Sequence, residues 1–269
     1  FKDKGLILSA IMFSTGVIGK QLPMDKINEG IRLMAPKLGT SFEDATLAAE
    51  AIMTTDTRSK QAAVTFEIGG KTVTLGGMCK GSGMIHPNMC TMLGFVTTDA
   101  NISKEMLQKA VSASVVDSFN MISVDGDTST NDTLLVLANG MAGNTEITEK
   151  GAAYDKFVEA LHFVNEYLSM RIAEDGEGAT KLIEIEVFGA KDANDAKLIV
   201  TSIARSPLCK TAIFGMDANF GRFITACGYS GASFDPNKID LYLGDMQMYK
   251  DGIALDIDED AAVELLKEH

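Results

Sequence analysis

Lys80-Gly81-Ser82-Gly83-Met84-Ile85-His86-Pro87-Asn88-Met89-Cys90-Thr91-Met92-Leu93-Gly94-Phe95-Val96-Thr97-Thr98-Asp99 is the stretch around which the chain is organised. Its first half is a glycine-rich turn, in which Gly76, Gly77, Gly81 and Gly83 permit backbone angles and close approaches that other residues resist. Pro87 fixes its own φ and pushes His86 toward extended geometry, stiffening the approach to Asn88. After Thr91 the residues are apolar, β-branched or aromatic, as in a buried strand. A hydroxyl thus stands where a polar loop enters a rigid strand, and loops held by a scaffold carry chemistry. The pattern by itself more often marks an ordinary connector.

Working outward, Val64 to Ile68 and Lys71 to Leu75 flank Gly69-Gly70, a hairpin signal that delivers the chain to this stretch. Further upstream, Ile7 to Ile11 reads as a strand ending in a tight turn at Ser14-Thr15-Gly16-Val17-Ile18-Gly19. Ile27, Ile31, Met34 and Leu38 share one helical face, and Ser41 with Asp44 forms a capping-box pattern for a helix to about Met53. Downstream, Asn101 to Phe119 is a helix capped at Ser103. Phe157, Leu161, Val164, Leu168 and Ile172 mark a long amphipathic helix from about Ala152 to Ala173, with His162 a surface or packing residue. Leu182 to Phe188 alternates as a strand does, and Asp192 to Arg205 and Ala261 to Lys267 are further helices. The run Asp125-Gly126-Asp127-Thr128-Ser129-Thr130-Asn131-Asp132 resembles a calcium loop but fails as one. Thr130 stands where the sharp turn needs glycine, and Val136 where a bidentate glutamate is needed. The run reads instead as a capping loop opening a helix, Leu134–Ala138.

The 269 residues are 46% hydrophobic and 23% charged, enough for a full-sized core in one or two lobes. A net charge of −13 argues against nucleic-acid or anionic-membrane partners. No run approaches the roughly eighteen apolar residues of a membrane span, and no signal peptide is expected. Cys79, Cys90, Cys209 and Cys227 lack metal-ligand spacing, so free thiols in a reducing cytoplasm are the expectation. The chain opens on Phe1, as a fragment would.

The string from Lys80 resembles the self-cleavage segment of the ornithine acetyltransferase family, bifunctional enzymes of arginine biosynthesis. Those enzymes carry a lysine-glycine-small-glycine-methionine run, then a proline, a methionine, a small residue and the threonine that becomes the nucleophile. Cys90 and Gly94 stand where alanine is usual, and both are small. Ser14-Thr15-Gly16-Val17-Ile18-Gly19 matches the family's oxyanion-hole run, and Asp175-Gly176-Glu177-Gly178-Ala179-Thr180-Lys181 its substrate-contacting run. Asp217-Ala218-Asn219-Phe220-Gly221-Arg222 resembles a proline-asparagine-tryptophan-glycine-arginine block, with Ala218 and Phe220 as departures. Arg222 there is an anchor for a structural carboxylate. Typical members extend beyond both ends of this chain, and their C-terminal extension closes over the substrate.

The resemblance implies an α/β fold, an α-β-β-α sandwich with an internal autoproteolytic site. Thr91 would attack the Cys90 carbonyl, so that residues 1–90 end an α-chain and 91–269 form a β-chain, with two of each in the assembly. Thr91 would then take acetyl from N-acetylornithine and pass it to glutamate. Thr15 and Gly16 would form the oxyanion hole, a hydroxyl and a backbone N–H facing a developing negative oxygen. Thr54, Lys80 and Glu177 would contact substrate, with Thr55 and Thr57 as rivals to Thr54. Lys80 suits a substrate carboxylate and Glu177 its amine. No metal or redox cofactor is implied, while acetyl-CoA is a second donor in bifunctional members. The alternatives are an N-terminal-threonine amidase or aminopeptidase of similar fold, and an uncleaved, inactive scaffold.

Overall fold

The computed structural model describes residues 12–89 and 91–267, so Cys90 and the predicted strand Ile7 to Ile11 lie outside the described residues. In chain order its elements are α1 (Met24–Met34), α2 (Phe42–Ala51), β1 (Lys60–Ile68), β2 (Lys71–Lys80), β3 (Leu93–Thr98), α3 (Lys104–Val116), β4 (Thr133–Ala138) and α4 (Ala152–Glu174). There follow α5 (Ala193–Arg205), α6 (Pro207–Phe214), α7 (Gly221–Gly228), β5 (Leu241–Leu243), β6 (Met246–Lys250), β7 (Ile253–Ala254) and α8 (Glu259–Leu266). Helices and sheets mix as the α/β class requires.

Strands β1 to β4 form one sheet in that order. The β1–β2 hairpin closes as its sequence predicts: Ile68 faces Lys71, and Gly69 and Gly70 have φ of 58° and 73°, the positive pair that a two-residue hairpin turn demands. Strand β3 runs antiparallel to β2 and parallel to β4, with Lys80 opposite Leu93 and Leu93 opposite Thr133. Val73, Leu75, Val96, Phe157, Leu161, Val164, Leu168 and Ile172 are buried in one core between sheet and α4. Gly76 and Gly77 belong to β2 rather than to a turn. A side chain at Gly77 would meet Leu168 at 3.0 Å and Val164 at 3.3 Å, so its role is close helix–sheet approach. A second core gathers Ile203, Cys209, Ala212, Phe223, Met248 and Ala262 from α5, α6, α7, β6 and α8.

Two sequence expectations are corrected. Leu134–Ala138 is strand, not helix. Five aliphatic residues fit either period, and the parallel ladder to β3 decides the matter. Leu182 to Phe188 has the alternation of a strand but pairs with no strand among the described residues. Alternation encodes a half-buried face; it does not supply a hydrogen-bonding neighbour. The helices at Ser41 and Ser103 start where predicted, the first with both halves of its capping box. Among the described residues, no helix is long and apolar enough to cross a membrane.

Candidate active site

Thr91 sits at the N-terminal approach to β3, half-buried, and its neighbour Met92 is fully buried. Two loops converge there. The 81–91 loop is fastened to the 120–132 loop by Met84 N and Ile85 N donating to the Asp125 carboxylate at 2.7 and 3.1 Å. Val124 N donates to Ile85 O at 2.7 Å, Thr128 Oγ1 to His86 O at 2.9 Å, and Met89 N to Asn120 Oδ1 at 3.1 Å. Within that loop Ser82, Met84 and Met89 adopt positive φ of 115°, 57° and 45°. Non-glycine residues in this region are strained by about 1–3 kcal/mol each and persist only where their surroundings over-determine them. Met89, the last of the three, directly precedes Cys90.

The Thr91 hydroxyl donates to Ser129 Oγ. Ser129 Oγ in turn donates to Asn131 Oδ1 at 2.9 Å, and Asn131 Nδ2 to Ser14 O at 2.6 Å. One relay therefore links the nucleophile candidate to the segment carrying Thr15 and Gly16. Phe13 reinforces the link, packing edge-on against Phe95 of β3 with ring centroids 5.6 Å apart. Phe13 and Ser14, the two residues before Thr15, are thereby tied to β3 and to the loop beside Thr91.

Lys80 ends β2 and is 1% exposed. Among the described residues its ammonium forms no hydrogen bond and no ion pair. Desolvation holds its pKa below the usual lysine range, with Lys60 adding to the effect and Asp56 and Asp132 opposing it. Asp132 accepts from Met92 N at 3.0 Å through Oδ1, while Oδ2 is buried without a hydrogen-bond partner among the described residues. Burial pushes this carboxyl up to about 6, against the pull of its backbone hydrogen bonds and of Lys80.

Glu177 is exposed, its N–H donating to Ser82 O at 2.8 Å. The glycines around it have distinct duties. Gly178 has a φ of 72°, and a side chain at Gly176 would strike Val124 at 2.7 Å. A side chain at Gly83 would collide with the Glu177 carboxylate, so that carboxylate lies over the loop leading from Lys80. Glu177 also lines a cavity of about 420 Å³ floored by Val124, Ile203 and Phe223; Thr91, Lys80 and Thr15 do not line it.

Of the threonine cluster, Thr57 is committed: its hydroxyl and its N–H both donate to Asp175. The Thr54 and Thr55 hydroxyls bond no described residue, and Thr54 N donates to Asp56 Oδ2 at 3.2 Å. Arg222 pairs with Asp217 at 3.2 Å, the structural carboxylate that the sequence anticipated. Competing nucleophiles are muted, since desolvation raises the thiol pKa of Cys79, Cys209 and Cys227. No cluster that would hold a metal ion occurs among the described residues. Sequence reasoning took the 125–132 loop only as structural support and so missed Ser129, Asn131 and Asp132. The signal available was the density of hydroxyl, amide and carboxylate groups just before a strand that lies beside β3.

A family model for ArgJ matches residues 6–269. The chain belongs to the ArgJ family. It is 56% identical over 255 residues to the arginine biosynthesis bifunctional protein ArgJ of Symbiobacterium thermophilum, covering 95% of this chain and 63% of that protein. The corresponding protein of Thermotoga neapolitana is 52% identical, with 97% and 66% covered. The chain thus spans roughly two thirds or slightly less of these ArgJ proteins' length. The crystal structure of ArgJ from Bacillus halodurans superposes with a TM-score of 0.63 at 46% identity, covering 65% of this chain and 82% of that one.

Proposed function

We propose that this chain carries the catalytic centre of an acetyltransferase of arginine biosynthesis that moves acetyl from N2-acetylornithine to glutamate through an acetyl-Thr91 ester. The observation that carries the reading is the pairing of a nucleophile with an unsatisfied cation. Thr91 lies two residues before Leu93, the residue opposite Lys80 across the β2–β3 ladder. A buried ammonium with no carboxylate bonded to it directly is costly unless something anionic completes it. The α-carboxylate shared by N-acetylornithine and glutamate is such a group, and both compounds would meet Lys80 in turn.

Self-cleavage comes first. Thr91 Oγ1 attacks the Cys90 carbonyl carbon, the peptide C–N bond breaks, and an ester and a free Thr91 amine result. Water then hydrolyses the ester, leaving a Cys90 carboxylate and restoring the hydroxyl. A model α-amine titrates at about 7.7–8.0, so it serves as base for its own hydroxyl near neutral pH. In the transfer half-reaction Thr91 Oγ1 attacks the acetyl carbonyl, ornithine leaves with the proton, and glutamate's amine later takes the acetyl group from the ester. Thr15 and Gly16 would stabilise the oxyanion of each tetrahedral intermediate. Thr54 and Glu177 would orient the substrate, Glu177 by holding an ammonium. Acetyl-CoA as a second donor, assembly from two α- and two β-chains, and a cytoplasmic location complete the reading; no metal or redox cofactor enters it.

Isotope exchange tests it. Acetyl label should pass from N-acetylornithine to glutamate with ping-pong kinetics and no net release of acetate. Thr91→Ala should abolish both cleavage and exchange. Acetate release matching donor loss would make the protein an amidase instead, and exchange surviving in the alanine variant would exclude Thr91.

A further inference from the structure

Lys60 opens β1 as a second buried ammonium, with its side chain 2% exposed. Its Nζ donates to Asp56 Oδ1 at 2.7 Å, to Asp175 Oδ2 at 2.6 Å and to Arg58 O at 3.0 Å. Each carboxylate has further partners. Asp56 Oδ1 accepts from Gly81 N at 2.8 Å, the residue after Lys80, and Asp56 Oδ2 accepts from Thr54 N at 3.2 Å. Asp175 Oδ2 accepts from Thr57 N at 2.9 Å and Arg58 N at 3.2 Å, and Asp175 is the C-cap of α4, two residues before Glu177. Burial alone would raise the Asp175 carboxyl, but hydrogen bonds from Lys60 and Thr57 hold it below the usual carboxylate range.

We propose that Lys60 is a positioning residue for substrate: one buried ammonium, gripping Asp56 and Asp175, fixes the three segments that carry Thr54, Lys80 and Glu177. The inference deepens the acetyl-transfer reading and rests on it. Buried ion pairs are weak evidence for stability, because desolvation offsets much of the attraction, and their best-attested use is to fix a geometry. Here the groups that the carboxylates bind are backbone N–H donors of loops leading to candidate substrate contacts, 81 on one side and 54–58 on the other.

The test measures KM and kcat separately for both substrates, alongside cleavage at position 91, in the complete mature protein. Lys60→Met should raise KM about tenfold for N-acetylornithine and for glutamate while kcat falls less than threefold and cleavage proceeds. Asp175→Asn, which keeps an acceptor for the loop amides, should raise both KM values severalfold, and Lys60→Arg should restore part of the loss. A purely structural role would reduce the active fraction, lowering apparent kcat at constant KM. Unchanged KM values in Asp175→Asn, or in a folded Lys60→Met, would overturn the proposal. A wild-type protein without acetyl exchange would remove the reading on which it rests, an outcome separate from unchanged KM in the variants.

Discussion

Two buried ammoniums stand a few residues apart in space and behave oppositely. Lys60 is saturated, bonded to two carboxylates and a carbonyl, and its partners reach on into three loops. Lys80 is as deeply buried and has no hydrogen-bonded or ion-paired partner among the described residues. The same residue type at similar depth is thus fully bonded in one corner and, among the described residues, without a direct partner in the other. Burial alone does not reveal function; the hydrogen-bond partners around each charge do.

The largest effect expected from this contrast is on stability. Lys60→Met leaves two buried carboxylates without their cation and should cost about 3–5 kcal/mol, measured by urea unfolding. Lys80→Met removes a cation that no described carboxylate bonds directly, so it should cost clearly less than Lys60→Met. Equal losses in the two variants would erase the distinction. Function should reverse the ranking. Lys80→Met loses a charge-assisted contact worth about 1.5–3 kcal/mol and should raise KM for glutamate on the order of a hundredfold.

Asp132 sharpens the comparison through pH. Its carboxyl titrates near 6 in the folded protein against 3.8 as a reference. A raised acid pKa means that the folded state holds its proton longer than the unfolded state. This group's contribution to stability should therefore be full below about pH 4 and decline as pH rises to 6, by about 2 kcal/mol after a discount for solvent screening. Asp132→Asn keeps an oxygen for Met92 N and should flatten that slope, as read from unfolding curves at pH 4, 5, 6 and 7. A slope unchanged in the variant would assign the titration elsewhere.

The smallest effect separates neighbouring threonines. Thr57→Val removes one hydroxyl bond to Asp175 and should cost about 1 kcal/mol of stability, with KM nearly unchanged. Thr54→Val should leave stability within about 0.5 kcal/mol and raise KM severalfold. The reverse pattern would exchange their roles.

The sequence was most legible where local chemistry dictates structure. Gly69-Gly70 specified its turn, Ser41 and Ser103 specified helix starts, and the spacing from Phe157 to Ile172 specified α4. It was least legible where a neighbour remote in sequence decides. Leu134 to Ala138 becomes strand only because β3 lies beside it, and Leu182 to Phe188 stays unpaired for want of such a neighbour among the described residues. The site divided along the same line. Thr91, Lys80, Thr15 and Glu177 were singled out by the family resemblance of their strings, whereas the joint role of Lys60, Asp56 and Asp175 has no local signature in sequence. Their contact spans up to 115 positions and could be seen only in three dimensions.

The central claim is that Thr91 becomes a chain terminus and then carries the acetyl group. Mass spectrometry of the mature protein, briefly exposed to N-acetylornithine without glutamate, tests it most directly. The account predicts a fragment beginning Thr-Met-Leu-Gly-Phe and bearing one acetyl group as an ester on Thr91, lost when glutamate is added. A peptide running unbroken from Asn88 through Met92, or an acetyl group on any other residue, would contradict it.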